Sequence, residues 1–365
     1  MSEGQIKAFQ FIEGGARYGA AVSIMNIAEG MRRCNVNVDF GVFAGRPLGE
    51  VLRERGFRVH DINANKRYDF KAIRQLVKLF KAERYDVIHT HLSKATINGA
   101  IAARLARVPV VSTVHGMNKK YTYMMSTHIM TVSEAAKQYL VNQGVPSSRV
   151  TAVYNCIPMD SFERLPNGDA AKASFGFEPG SVVLGTVSRA HQQKGIEIAI
   201  EAVSELRKRN YDAKYLFLGD GPHLDQFKAL VESLGLSEHV RFPGFTDDIG
   251  VPLAAMDVFL FPTFREAFGI SLLEAMAARV PIVASNVDGV PEVLAEGSGV
   301  LVDERTPKAF ADATETLLSN AATRQSVINR ARRRVETVFS VEETAKSVEQ
   351  VYRRAIREGA TSLRR

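Results

Sequence analysis

Tryptophan is absent from the 365 residues, and cysteine occurs only at Cys34 and Cys156. Two cysteines so far apart supply neither a disulfide framework nor a metal knuckle, so both are expected as free, inert thiols. Long apolar runs are missing too: no stretch approaches the roughly 18 residues that would span a bilayer. The first ten residues carry one Lys before a short apolar run and then glycines, unlike a secretory signal, and a cytoplasmic protein is expected. No G-x-G-x-x-G follows the first apolar run. Asp39, the nearest acid at a plausible distance, falls inside the second run instead of at its end, which argues against a nicotinamide enzyme. No helical H-E-x-x-H occurs, and His89, His91 and His115 lack a carboxylate or cysteine at ligand spacing, which speaks against zinc or another metal. Basic residues are not interleaved with an aromatic stacking platform, so no nucleic acid is expected as a partner.

What is present is globular in proportion, with 45% apolar and 24% charged residues in a chain longer than one core usually serves. Short runs rich in Val, Ile and Phe alternate with longer amphipathic stretches from end to end, the pattern of βαβ units and a parallel sheet. The pattern occurs twice. Strand candidates in the first half are Ile6–Ile12, Val36–Phe43, 87–90, 110–113, 129–132 and 150–153, with helical stretches such as 20–34, 71–83 and 93–107 between them. In the second half they are Val182–Val187, 215–218, 240–242, Val258–Phe261, 282–284 and 299–302. The periodicity lapses over 158–180, where Pro, Gly, Asn and Asp cluster. An N-terminal domain over 1–160 and a C-terminal one over 161–340 are predicted, each a doubly wound, Rossmann-like α/β fold. Helix is expected after Asp303, with a last segment at about 341–365 that packs back on the first domain. Ligands of such sheets bind beyond the carboxyl ends of the strands, so the site is expected in a cleft between the domains. Charge divides unevenly: residues 1–160 hold 22 Lys and Arg against 12 Asp and Glu, and residues 161–365 hold 25 against 28, or +10 and −3. A basic first half suits an anionic partner, such as a membrane surface or a phosphorylated lipid carrier, and equally a solvated basic face.

The segment Pro262-Thr-Phe-Arg-Glu266-Ala-Phe268-Gly269-Ile270-Ser271-Leu-Leu-Glu274 ends a buried strand, turns at a glycine and opens a helix. The free N–H groups and positive dipole end of such a helix suit a diphosphate. Ser271 and Glu274 also have the spacing of a capping box. Upstream, Arg189 and the Lys194-Gly195 pair place two cations on the turn leaving the first strand of the second half. Positive charge at a helix start requires an anion, and Arg and Lys both suit phosphate oxygens. These segments resemble the donor-binding signature of the retaining glycosyltransferases of family four, and the resemblance spans essentially the whole chain. It implies the GT-B fold, two Rossmann-like domains facing across a cleft, with a nucleotide diphosphate sugar as co-substrate and no cofactor. By resemblance, Glu266 lies at the hydroxyls of the transferred sugar and Glu274 grips the ribose. Arg189 and Lys194 neutralise the diphosphate, Phe268, Gly269, Ile270 and Ser271 border the donor, and Phe245 walls the nucleotide base. Leu218-Gly-Asp-Gly-Pro222 fits the same family and is also an ordinary turn sequence.

In the first half, Glu13-Gly14-Gly15-Ala-Arg17 follows a strand and opens a helix, so its backbone comes close to a ligand. By resemblance Gly14 and Gly15 form the glycine loop that meets the donor phosphate and the acceptor, and His115 is similar to the family's active-site histidine near the anomeric centre. His89 and His91 read as supports. Lys119, Lys120 and Tyr121, followed by Met124 and Met125, mix cations with large apolar groups, as suits a loop at a membrane interface or a lipid-linked acceptor, or a helix packed into the domain. Asn155-Cys156-Ile157-Pro158 replaces the family's more usual Asn-Gly-Ile/Val-Asp turn. The resemblance implies a retaining, metal-independent transfer to a cell-surface or lipid-linked glycan, such as lipopolysaccharide or exopolysaccharide, at the inner face of the plasma membrane. A UDP-sugar is the expected donor and a GDP-sugar the alternative. Rival readings are a nucleotide-sugar epimerase of the same fold and a non-catalytic nucleotide-sugar-binding subunit; the apparently complete Arg, Lys and Glu set stands against the latter.

Overall fold

The computed structural model describes residues 4–15, 19–246 and 248–362, and the chain forms two compact units. The first comprises the chain through Ile157 together with the segment from Phe339 onward; the second is Pro158–Val338.

The sheet of the first unit contains β1 (Ile6–Ile12), β2 (Val36–Phe43), β3 (Arg58–Ile62), β4 (Val87–His91), β5 (Val110–Val114), β6 (His128–Thr131) and β7 (Val150–Ala152). Their order is β3-β2-β1-β4-β5-β6-β7, and every neighbouring pair is parallel. Both faces are covered, so the strands read as nearly continuous apolar runs. Along β1 the period of two still shows: Ile6, Ala8 and Ile12 belong to one core, Phe9 and Phe11 to the core on the opposite face. The Phe9 and Phe11 face is filled by Ile73, Leu76 and Phe80 of the helix Phe70–Glu83, whose first turn is capped by Asp69, its Oδ1 accepting from the amides of Lys71 and Ala72. The other face receives the helices Gly19–Met31 and Val341–Ser362. These two helices meet where Gly30 faces Val341 and Ala345, and the last helix buries Ala345, Val348, Val351, Tyr352 and Ala355.

Both passages of the chain between the units are anchored on the first unit. Ser23 Oγ donates to Asn155 Oδ1, Asn26 Nδ2 donates to the Cys156 carbonyl at 2.9 Å, and the Ile157 amide donates to the Phe339 carbonyl at 3.4 Å.

The second unit contains β8 (Val182–Val187), β9 (Ala213–Leu218), β10 (Val240–Gly244), β11 (Val258–Phe261), β12 (Ile282–Ser285) and β13 (Val300–Val302), in the order β10-β9-β8-β11-β12-β13, again all parallel. Two doubly wound parallel sheets in tandem are therefore present, as the sequence pattern predicts.

Three elements differ from that pattern. The helix Pro47–Glu54 and strand β3 are additional, β3 being an edge strand with Arg58 and Asp61 exposed and little apolar content. The stretch 158–180 is not wholly irregular, because Asn167 caps a short helix, Gly168–Ser174. Among the described residues no helix is long and apolar enough to cross a membrane.

Candidate active site

In each sheet the strand order reverses beside the first strand of the unit, between β1 and β4 and between β8 and β11. The turns leaving the carboxyl ends of strands at such switch points are where ligands of doubly wound folds sit.

In the second unit, β8 leads into Ser188 and Arg189, an exposed side chain, and then a short 3-10 turn, Gln192–Lys194. Gly195 follows at φ +63° and starts the helix Ile196–Lys208. No other residue fits there, because a Cβ on Gly195 would lie 2.1 Å from the Pro262 carbonyl oxygen. That close approach locks the turn after β8 onto the turn after β11. The Phe264 amide and the Thr263 hydroxyl both donate to the Gln193 carbonyl, at 2.8 and 3.0 Å.

The two loops bring Lys194 Nζ to 2.6 Å from Glu266 Oε2, with both side chains partly buried. Lys194 also lies 5.6 Å from the centre of the Phe261 ring. Glu266 is held through its backbone as well: its amide donates to Asp288 Oδ2 at 3.1 Å, and its carbonyl accepts from the Gly289 amide at 3.0 Å. Its second carboxylate oxygen accepts from the Phe268 amide at 3.4 Å, while the Phe268 ring is buried, 2% exposed.

Gly269, at φ +91°, is the N-cap of the helix Ile270–Ala277, and no side chain caps that end. Ser271 is thus the second residue of the helix, and the capping box with Glu274 does not form. The open N–H groups at this end remain available to an anion. Glu274 lies deeper in the same helix, where burial pushes its carboxyl up to about 7. Phe245 follows β10 and is 42% exposed.

In the first unit, residues 13–15 follow the carboxyl end of β1. Glu13 accepts from the Lys94 amide at 2.7 Å, at the start of the helix Ser93–Ala106. Gly14 has φ +92°, and a Cβ there would meet Val42 Cγ1 at 2.5 Å, so only glycine is accommodated. Gly15 is exposed. Arg17 lies outside the described residues.

His89 and His91 end β4, and His115 follows β5. They do not stand alone. His89 Nδ1 is 2.7 Å from the Tyr352 hydroxyl and His89 Nε2 is 2.6 Å from Thr113 Oγ1. His91 Nδ1 is 3.1 Å from His115 Nε2. Burial pushes His89 down to about 3, with the neighbouring His115 adding to the shift, and burial alone pushes His115 to about 4. At neutral pH all three rings are uncharged, His91 being held well below 6.5 by burial and by the two neighbouring rings.

Lys119 precedes and Lys120 opens a 3-10 turn, Lys120–Tyr123. Lys120 is tied to Gln143, its amide donating to Gln143 Oε1 at 2.9 Å and its Nζ to the Gln143 carbonyl. Tyr123 is buried, whereas Tyr121 is 73% exposed and Met124 and Met125 are also exposed.

Sequence patterning offers no signal for Thr263, Asp288 or Tyr352. Each acts through hydrogen bonds to residues distant in sequence, which no periodicity encodes.

A family model described as glycosyl transferases group 1 matches residues 168–334, and one described as glycosyltransferase family 4 matches residues 18–161. The 2-deoxystreptamine glucosyltransferase of Streptomyces kanamyceticus is 30% identical over a segment covering 69% of this chain and 74% of that protein. The N-acetyl-alpha-D-glucosaminyl L-malate synthase of Bacillus anthracis is 26% identical, covering 89% and 96%. Among solved structures, the Anabaena protein HepE in complex with UDP and glucose is similar with a TM-score of 0.85 at 21% identity, covering 95% of this chain and 99% of that one.

Proposed function

Because this chain belongs to the group 1 glycosyltransferases, enzymes of the GT-B fold that transfer a sugar from a nucleotide sugar, we propose that it is a retaining, metal-independent transferase that takes a UDP-sugar as donor and a cell-surface or lipid-linked glycan as acceptor. One observation carries the assignment of the donor site: the turns after β8 and β11 place Lys194 against Glu266 at 2.6 Å, and Gly269 opens an uncapped helix N-terminus three residues further along.

In this reading the diphosphate lies over Arg189, Lys194 and the N–H groups of residues 269–271, where fixed positive charge stabilises the leaving group as the anomeric bond breaks. Glu266 meets the hydroxyls of the transferred sugar, Glu274 the ribose, and Phe245 the base. His115 contacts the sugar, and Gly14 and Gly15 approach the donor phosphate and the acceptor. The acceptor hydroxyl attacks the face from which the diphosphate departs, and the diphosphate takes up the acceptor's proton, so the configuration is retained. Lys119, Lys120 and Tyr121 form a point of contact with an anionic membrane surface at its cytoplasmic side. UDP as the nucleotide is supported by its presence with glucose in the similar HepE structure.

Thermal melting against UDP, GDP, UDP-glucose and GDP-mannose tests the donor. A ligand at 100 times its dissociation constant adds about 2.7 kcal/mol to the folded state. The uridine nucleotides are expected to raise the midpoint of the wild type and to lose most of that effect in Arg189→Ala. A shift with the guanosine nucleotides alone reassigns the base; no shift with any of the four overturns the donor site.

A further inference from the structure

His91 and His115 share a hydrogen bond between ring nitrogens, and its polarity follows from what surrounds it. Each neutral imidazole carries one N–H and one bare nitrogen. His91 uses Nδ1 toward His115 Nε2 at 3.1 Å, while its other nitrogen, Nε2, is buried with no partner among the described residues. If His115 were the donor, His91 would hold its hydrogen on Nε2 and bury an orphan N–H. If His91 is the donor, the buried orphan is a bare acceptor. Buried unpaired N–H groups are the rarer defect in folded proteins.

Neighbouring His89 does not relieve this orphan, because both of its nitrogens are engaged elsewhere. His89 Nδ1 meets the Tyr352 hydroxyl, which also accepts from Gln10 Nε2 at 3.4 Å, and His89 Nε2 meets Thr113 Oγ1. In a neutral histidine the bond made by one nitrogen sets the state of the other.

We propose that His91 is a positioning residue that donates from Nδ1 to His115 Nε2, fixing the hydrogen of His115 on Nδ1 so that His115 offers the sugar a hydrogen-bond donor. The last clause rests on the assignment of His115 to the sugar; the tautomer does not. The suppressed basicity of both rings keeps a second proton out of the bond at neutral pH.

Nitrogen-15 spectra of the histidine-labelled full chain decide the matter without any ligand. With signals assigned from His91→Asn and His115→Ala, the expected pattern is hydrogen on Nδ1 of both His91 and His115. A His115 protonated on Nε2 in the wild type overturns the proposal. Kinetics form the second arm, read as UDP release from UDP-glucose. His91→Asn keeps an N–H near the place of Nδ1 and should retain turnover within about threefold, whereas His91→Leu should lower kcat about tenfold or more with little change in KM. Undiminished kcat in His91→Leu overturns the positioning role. Full turnover in His115→Ala instead overturns the assignment of His115 to the sugar, and leaves the tautomer result standing. Should His91→Leu fail to fold, the wild-type spectrum still decides.

Discussion

Glu274 is the fifth residue of the helix Ile270–Ala277, and burial raises its carboxyl from 4.5 to about 7. Between those values the folded chain holds a proton that the unfolded chain has lost, so stability falls as pH rises through the window. The contribution is fully present below about 4.5 and is gone above about 7. Relative to Glu274→Gln, the wild type should therefore lose stability on the order of 2 kcal/mol between pH values of about 5 and 8. Urea unfolding of both proteins across that range checks this, and a constant difference would count against a raised carboxyl. Lys194→Ala acts on chemistry more than on folding. Turnover should drop by about 10²–10³, while the melting midpoint moves by only a few degrees, since the ion pair with Glu266 is partly exposed. Unchanged turnover would remove Lys194 from the site. At this scale the sequence marks Lys194 and Glu266 as candidates, because each follows an apolar run and a turn. Their 2.6 Å contact across 72 positions was not legible, nor was the support of Glu266 by Asp288.

The elements around His89 make a second experiment possible. Tyr352 comes from the helix Val341–Ser362 and hydrogen-bonds a fully buried imidazole. Tyr352→Phe keeps the ring and strands His89 Nδ1 in the core, which should destabilise the protein by about 1–3 kcal/mol. A urea midpoint within error of the wild type would contradict the assignment of that hydrogen bond. Strands buried on both faces, such as β1 and β4, were legible as apolar runs. The edge strand β3 was not, because its Arg58 and Asp61 reach solvent and break the run, and the helix Pro47–Glu54 is only eight residues long. Asn167 produces a helix inside a Pro- and Gly-rich stretch because a single cap suffices for so short an element.

Over the whole molecule, the return of the last helix sharpens the charge asymmetry. The first unit holds 28 Lys and Arg against 15 Asp and Glu, or +13, and the second 19 against 25, or −6. Such a field attracts anionic surfaces and is screened by salt, the Debye length shrinking from about 10 Å at 0.1 M to about 3 Å at 1 M. The full chain should sediment with vesicles rich in anionic phospholipid at low salt and release from them as salt rises, with Tyr121→Ala weakening the contact. Absence of binding at low salt would make the basic unit a solvated face. The discontinuity of that unit also orders events during synthesis. A ribosome must translate all of 158–338 and then continue past Tyr352 before the core under β1 is closed, a delay of roughly ten seconds or more at about 5–20 residues per second. The unit begun last is contiguous and can fold first, while the first sheet waits with an apolar face uncovered, the part of the nascent chain most in need of a chaperone.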